Sequence, residues 1–443
     1  MNARDTAVAA RTLKRLRTSR GWSLAGLARA LDGIASGLGV PLAASTAGVQ
    51  RSVARWESAT SPVRPSHHYQ LLLAHVYARQ GGAPHLGPGS DFAELLAALA
   101  HYGESEHQLN ELRLLITRTV TVGNGGLLAL LGPRSQARIA EALGGPAGID
   151  ASLFDDLNSA VDHANRHVGA LPFVRLQLLL SPVVETCRRL LAGDLPPPLL
   201  PALRTVAART FTLAGRIAFE THDDATSHVL YAAAIEATEH LPTWHRAVVR
   251  MSHALVTLYS TPGTDATRVL VDAAIRDART GDAPAVRGRA HALHSEIAAR
   301  SGDRRVALTA LSLARHDVGG GPECGPSGLP FSPGHLRGFE GLCALHTGDA
   351  ETAESLFAGA AAALTHPRDR LQRTIVTTDQ ALARIQCGDP VAGTALLHTC
   401  ADELTTTGGR VPALRLRSAR HALRPWHGEH FVAELDDHLL TLR

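Results

Sequence analysis

With 443 residues the chain is long enough for two or three domains and ample core. Apolar residues make up 45% but aromatics only 4%, so any core must be built from Ala, Leu and Val, a composition that favours helices. Five cysteines (Cys187, Cys324, Cys343, Cys387, Cys400) without a Cys-x-x-Cys pair argue against a disulfide framework and for free thiols in a reducing cytoplasm. The net charge of +3 is unevenly spread. Residues 1–80 hold 11 Lys+Arg and 3 Asp+Glu, a balance of +8, which leaves −5 for residues 81–443. A small basic module on a mildly acidic body is the electrostatic footprint of a nucleic-acid reader fused to something else.

The first 20 residues are polar and basic, unlike a secretory signal. Ser23 is placed to cap a helix whose stripe is Leu24, Leu27, Ala28 and Leu31. Residues 32–47 carry Gly33, Gly37, Gly39 and Pro41 and read as a loop. A short helix beginning near Val49 puts Gln50, Arg51 and Arg55 on one exposed face and turns Val53 and Trp56 inward. Pro62 and Pro65 end that element, and 69–77 supplies another apolar helix. Gly81–Gly89 reads as a linker closing a domain of residues 1–80, and 81–150 as linker and connecting helices, with a helix over 92–115 and a weakly patterned stretch over 116–150. The most apolar stretch, Leu114 to Leu131, contains Arg118, Asn124 and several glycines, which argues against a membrane span.

Gln and Arg are the side chains that pair with adenine and guanine edges in the major groove. Leu13-Lys-Arg-Leu-Arg17, Gly21-Trp-Ser-Leu24, Leu27-Ala28, Val53-Ala-Arg-Trp-Glu57 and Pro65 together resemble the helix-turn-helix domain of the XRE (Cro/CI-like) repressor family. The resemblance implies that Gln50, Arg51, Ser52 and Arg55 face bases and that Lys14, Arg17, Ser23 and Arg64 hold phosphates. It makes Trp56 a core residue and Glu57 a structural partner of an Arg or a backbone amide. The 32–47 connection is about 15 residues longer than a compact helix-turn-helix needs. An enlarged turn of this kind also occurs in a group of large actinobacterial regulators, and it bears on how the recognition helix is oriented.

From about residue 200 the chain repeats. Units starting at Ala225, Ala266, Ala307, Ala353 and Ala392 carry Val229, Leu270, Leu311, Phe357 and Leu396 four residues on. Ala232, Ala273, Ala314 and Ala360 stand at the seventh position, with Thr399 in the fifth unit. Three units come after Gly-Asp turns at 302–303, 348–349 and 388–389, and Ala254, Ser295 and Gly341 stand 12 residues before the first Ala. Small positions that let two helices approach, with a large residue plugging the gap, describe a helix hairpin. The pattern resembles the tetratricopeptide repeat with a longer period, the alternative being an ordinary Ala-rich bundle. The Gly/Pro-rich segment 319–328 is an insertion, and Leu195-Pro-Pro-Pro198 separates the helices of 151–193 from the array. The expected fold is all-α: a helix-turn-helix domain followed by an α-solenoid of tetratricopeptide-like hairpins over 151–443.

No catalytic constellation is present. His163 and His167 are i, i+4 but lack an adjoining Glu or Cys, and Gly123-Asn-Gly-Gly126 is too short for a phosphate loop. His291 and His294 lie on the first helix of a repeat. No enzyme activity, metal or cofactor is expected. The reading is a cytoplasmic transcription regulator that binds double-stranded DNA, forms a homodimer through its repeats, and takes a small-molecule or protein ligand in a groove near Trp244, Arg250, His253 and Tyr259. More distantly, the two-module architecture resembles the peptide-pheromone receptors of Gram-positive bacteria, which grip a peptide backbone with Asn side chains; with no Asn after Asn165, the array here lacks that amide clamp. The alternative is a repeat-based interaction scaffold without DNA binding. No membrane partner is expected.

Overall fold

The computed structural model describes residues 3–38, 42, 44–58, 60, 62–104, 106–121, 133–144, 149–193, 195–279, 283–319, 331–366, 369–407 and 409–441. The chain is all-α, about 80% helix, with 21 helices among the described residues. Strand pairing among them is confined to a two-residue ribbon and one isolated bridge.

The first core gathers six helices: α1 (Ala3–Ser19), α2 (Leu24–Gly37), α3 (Thr46–Trp56), α4 (His67–Tyr77), α5 (Asp91–His101) and α6 (Glu106–Thr121). Ser23 caps α2 as expected, accepting from the Gly26 N–H. The helix then runs on to Gly37, through residues expected to be loop, because Ile34 and Ala35 continue the stripe of Leu27, Ala28 and Leu31 into the core. Burying that stripe outweighs a glycine cost of about 1 kcal/mol each. Residues 39–41 and 43 of the expected loop lie outside the described residues. Helix α3 starts three residues before Val49, at the Ser45 cap, whose side chain accepts from the Gly48 N–H.

The expected domain boundary at residue 80 is not where this core ends. Arg79–Gln80 and Ala83–Pro84 form a tight ribbon across Gly81 and Gly82, both at positive φ as such a turn demands. The ribbon sends α5 back against α1. Phe92, Leu95, Leu96, Leu99 and Tyr102 of that segment, with Leu112, Leu115 and Ile116 of α6, are buried in the same core as Leu16 and Trp56. The single helix expected over 92–115 is broken between α5 and α6 at Gly103, which has a φ of +87°. Gly123–Gly126 and most of the apolar stretch ending at Leu131 lie outside the described residues. No helix among the described residues is long and apolar enough to cross a membrane.

A second core begins with α7 (Pro133–Gly144), α8 (Ala151–Arg166) and α9 (Phe173–Ala192) and runs without a break into α10 (Leu200–Glu220). Leu195-Pro-Pro-Pro198 therefore does not separate 151–193 from the hairpins that begin at α10. Leu178 of α9 reaches into the first core, and His68 of α4 accepts a 2.9 Å hydrogen bond from Gln177 Nε2, so the two cores touch at α4 and α9.

The remaining helices pack as hairpins in chain order. These are α10 with α11 (Asp224–Ala237), α12 (Thr243–Ser260) with α13 (Asp265–Arg279), and α14 (Pro284–Arg300) with α15 (Arg304–Gly319). Then come α16 (Pro333–His346) with α17 (Ala350–Ala363), and α18 (Arg370–Gln386) with α19 (Pro390–Thr407). The expected units are the second helices, but the register needs correction in three of five. Ala225, Val229 and Ala232 are exposed; the buried set is Ser227, Tyr231 and Ala234. The equivalents are Thr267, Val271 and Ala274; Ala307, Leu311 and Ala314; Ala353, Phe357 and Ala360; and Gly393, Leu397 and Cys400, all buried. The interval is then 40 residues from 227 to 267, 267 to 307 and 353 to 393, and 46 where the Gly/Pro-rich segment intervenes. Asp223, Asp303, Asp349 and Asp389 fix this register, each capping its helix by accepting a backbone N–H at 3.1 Å.

The array ends where it began. Helix α20 (Arg410–Ala422) packs against α18 and α19 and also touches α10, while α21 (His430–Thr441) covers α19. Val411 of α20 and Ile375 of α18 are part of the core of α7 to α12, and the backbone of Leu371 lies against Gly169 in the α8–α9 turn.

Candidate nucleic-acid interface and the repeat groove

Helix α3 is held on one side and free on the other. Val49, Val53 and Trp56 are buried. The Trp56 ring lies 4.9 Å from that of Tyr69 of α4, and the Tyr102 hydroxyl donates to the Trp56 carbonyl oxygen. Arg51 and Arg55 project outward with no carboxylate partner among the described residues; Arg55 reaches only the Ser52 hydroxyl, at 3.5 Å. Gln50 is half-buried beside them. Ser52 is half-buried too and donates its hydroxyl to the Gly48 carbonyl, so the outward face is Gln50, Arg51 and Arg55 rather than all four.

The four expected phosphate contacts divide. Lys14 is exposed, and Ser23 is exposed at the start of α2 with its hydroxyl hydrogen uncommitted by the cap. Arg64 is 45% exposed and 3.3 Å from Glu104. Arg17 is a correction: its side chain is only 10% exposed. It donates to both Glu57 oxygens at 2.8 and 2.7 Å and to the Trp22 carbonyl at 2.6 Å. A guanidinium with every edge bound inside the core is not available to a phosphate. It is instead the Arg that Glu57 was expected to find, and it ties the end of α1 to the end of α3.

The expected charge balance also changes once α5 is counted with this core. Residues 81–104 add Asp91, Glu94 and Glu104 and no Lys or Arg, reducing +8 to +5. Those acids pair with Arg20, Arg15 and Arg64. Neither Tyr102 nor Arg20 stands out in the sequence. Arg20 holds Asp91, the Val76 carbonyl and the faces of Trp22 and Tyr77 together. The Ser90 cap and the Phe92, Leu95, Leu96, Leu99 spacing are the available signals that α5 packs as a core helix.

Trp244, Arg250, His253 and Tyr259 do not form one groove. At about 100° per residue their positions point to different sides of α12. Trp244 stacks on His245, Arg250 pairs with Asp277 of α13, and His253 stacks on Tyr231 of α11. Burial pushes His253 down to about 4, with His228 adding to the effect, so it carries no charge near neutrality. Tyr259 faces α20, where its hydroxyl accepts from Arg415 Nε at 2.6 Å. Arg415 also pairs with Asp379 of α18 and reaches Glu296 of α14 at 3.4 Å. The backbone N–H groups of Arg410 and Val411 donate to the buried Glu220 of α10. The surface expected to hold a ligand through Tyr259 is thus occupied by the chain's own α20.

Among the described residues no cluster of three metal-ligating side chains exists, and Cys187, Cys343, Cys387 and Cys400 are free thiols; Cys324 lies outside them. No family model, curated protein or solved structure matches the chain.

Proposed function

We propose that the chain is a DNA-binding transcription regulator with an N-terminal helix-turn-helix of the XRE type, made of α2 and α3, and a tetratricopeptide-like array that dimerises and senses a ligand. The observation that carries this reading is the outward face of α3. Two arginines without carboxylate partners among the described residues stand beside Gln50 on a helix whose opposite side is fixed by Trp56, Tyr69 and Tyr102. These are the groups that read guanine and adenine edges, and a fixed helix presents them without an ordering cost. By this reading Lys14 and Ser23 serve the phosphates, and Arg17 does not.

Fluorescence anisotropy with genomic DNA fragments tests it. Arg51→Ala and Arg55→Ala are each expected to cost about 1–3 kcal/mol at a selected site and to relax base preference there. Log affinity should fall with log salt by about 0.9 per phosphate contact, and Lys14→Gln should lessen that slope. Salt-insensitive or absent binding, with both Arg variants like the parent, would favour a repeat-based interaction scaffold.

A further inference from the structure

A crevice of about 550 Å³ opens between α13 and α15, with α14 as its floor. Its walls combine two features. Ile275, Val306 and Leu313 give it an apolar lining, and Leu313 is 46% exposed. Arg276 and Arg305 stand on opposite walls, from α13 and α15. Neither has an ion-pair partner among the described residues. Several neighbouring arginines are committed by contrast: Arg246 and Arg250 hold Asp277, Arg287 holds Asp317, Arg300 holds Glu296, and Arg315 holds Glu340. At the floor, Nδ1 of His291 is buried without a hydrogen-bond partner. One carboxylate, Asp272, also lines the crevice, 3.9 Å from Nε2 of His294, so the two arginines outnumber the acids there.

Apolar walls, two uncommitted guanidinium groups and an unsatisfied buried ring nitrogen define a complement. We propose that this crevice binds a small organic anion, a carboxylate carried on an apolar body. The carboxylate lies between Arg276 and Arg305, where charge-assisted hydrogen bonds are strong, and the apolar body covers Ile275, Val306 and Leu313. This deepens the regulator reading by giving the sensed ligand a chemical class and a place away from α20. It rests on that reading only for its biological meaning. The binding itself is measured without DNA, so failure here and failure of DNA binding are separate results.

Isothermal titration of the full chain with sodium octanoate is the test, with octanamide and inorganic phosphate as the uncharged and purely ionic arms. Octanoate is expected to bind saturably, and each comparison probe about tenfold or more weaker. Arg276→Gln with Arg305→Gln should weaken octanoate about tenfold and leave octanamide unchanged. Leu313→Asp should weaken both. All three positions are exposed, so helical circular dichroism is expected to be retained and serves as the folding control. The proposal is overturned if octanoate shows no saturable binding, if the double variant binds it undiminished, or if phosphate binds as tightly.

Discussion

Arg17 shows how far one side chain can depart from the charge of its neighbourhood. It lies in the most basic stretch of the chain, yet Glu57 and the Trp22 carbonyl consume it. Replacing it by Ala leaves the Glu57 carboxylate buried and alone, which should cost about 3 kcal/mol in urea denaturation. Arg17→Ala combined with Glu57→Ala should cost less than the two single losses together. A single-variant loss under about 1 kcal/mol would mean that water reaches the pair. His75 makes the matching case for pH. Its ring is held on both sides, with Nδ1 donating to the Leu71 carbonyl at 3.0 Å and Nε2 lying 2.8 Å from the Thr119 hydroxyl. Burial pushes it down to about 4, against 6.5 in the unfolded chain. The unfolded state therefore binds the extra proton first, and stability falls as pH drops from about 6.5 towards 4, by up to about 1.4 kcal/mol per pH unit from this residue. Melting curves across that range should flatten in His75→Gln, whose side chain cannot titrate; an unchanged slope would place the titration elsewhere. Neither pairing is visible in the linear sequence, because 17 with 57 and 75 with 119 are joined only by the way α1, α3, α4 and α6 cross.

At the scale of elements, caps are more informative than composition. Alanines locate the second helices of the hairpins, but they misplace the register wherever alanine is abundant on both faces, as at Ala225 and Ala232. The Asp that precedes four of these helices marks the same step each time, since its side chain closes the first turn. Glycine misleads in the opposite direction in α2, where Gly33 and Gly37 suggest a loop but ride on a helix with a continuous buried stripe. In α16 a glycine is where it must be. A Cβ at Gly341 would stand 2.6 Å from the ring of Phe357, the large residue of the facing helix α17. Gly341→Ala should therefore destabilise the chain by about 1–3 kcal/mol through overpacking. Phe357→Leu in the same background should recover part of that loss by making room; if it adds to the loss, the two helices do not meet as described.

Over the whole molecule, the all-α class and the hairpin order are legible because helical periodicity and capping are local properties. The outward face of Arg51 and Arg55, with half-buried Gln50 beside them, is legible for the same reason. The illegible parts depend on contacts between distant segments: the return of α5 to α1, which lowers the basic balance of the N-terminal core, and the return of α20 to α10. That second return has a consequence for how this sequence can change. In an open helical array each unit meets only its neighbours, so units can be gained or lost by duplication and deletion. Here Arg410 must reach Glu220 and Asp224, and Leu371 must lie against Gly169. Losing or adding one 40-residue hairpin would pull those ends apart or push them past each other. The number of hairpins is thus fixed by closure, as strand number is in a barrel. Descendants of this chain are free to diverge by substitution and in the connections between hairpins, but not by counting.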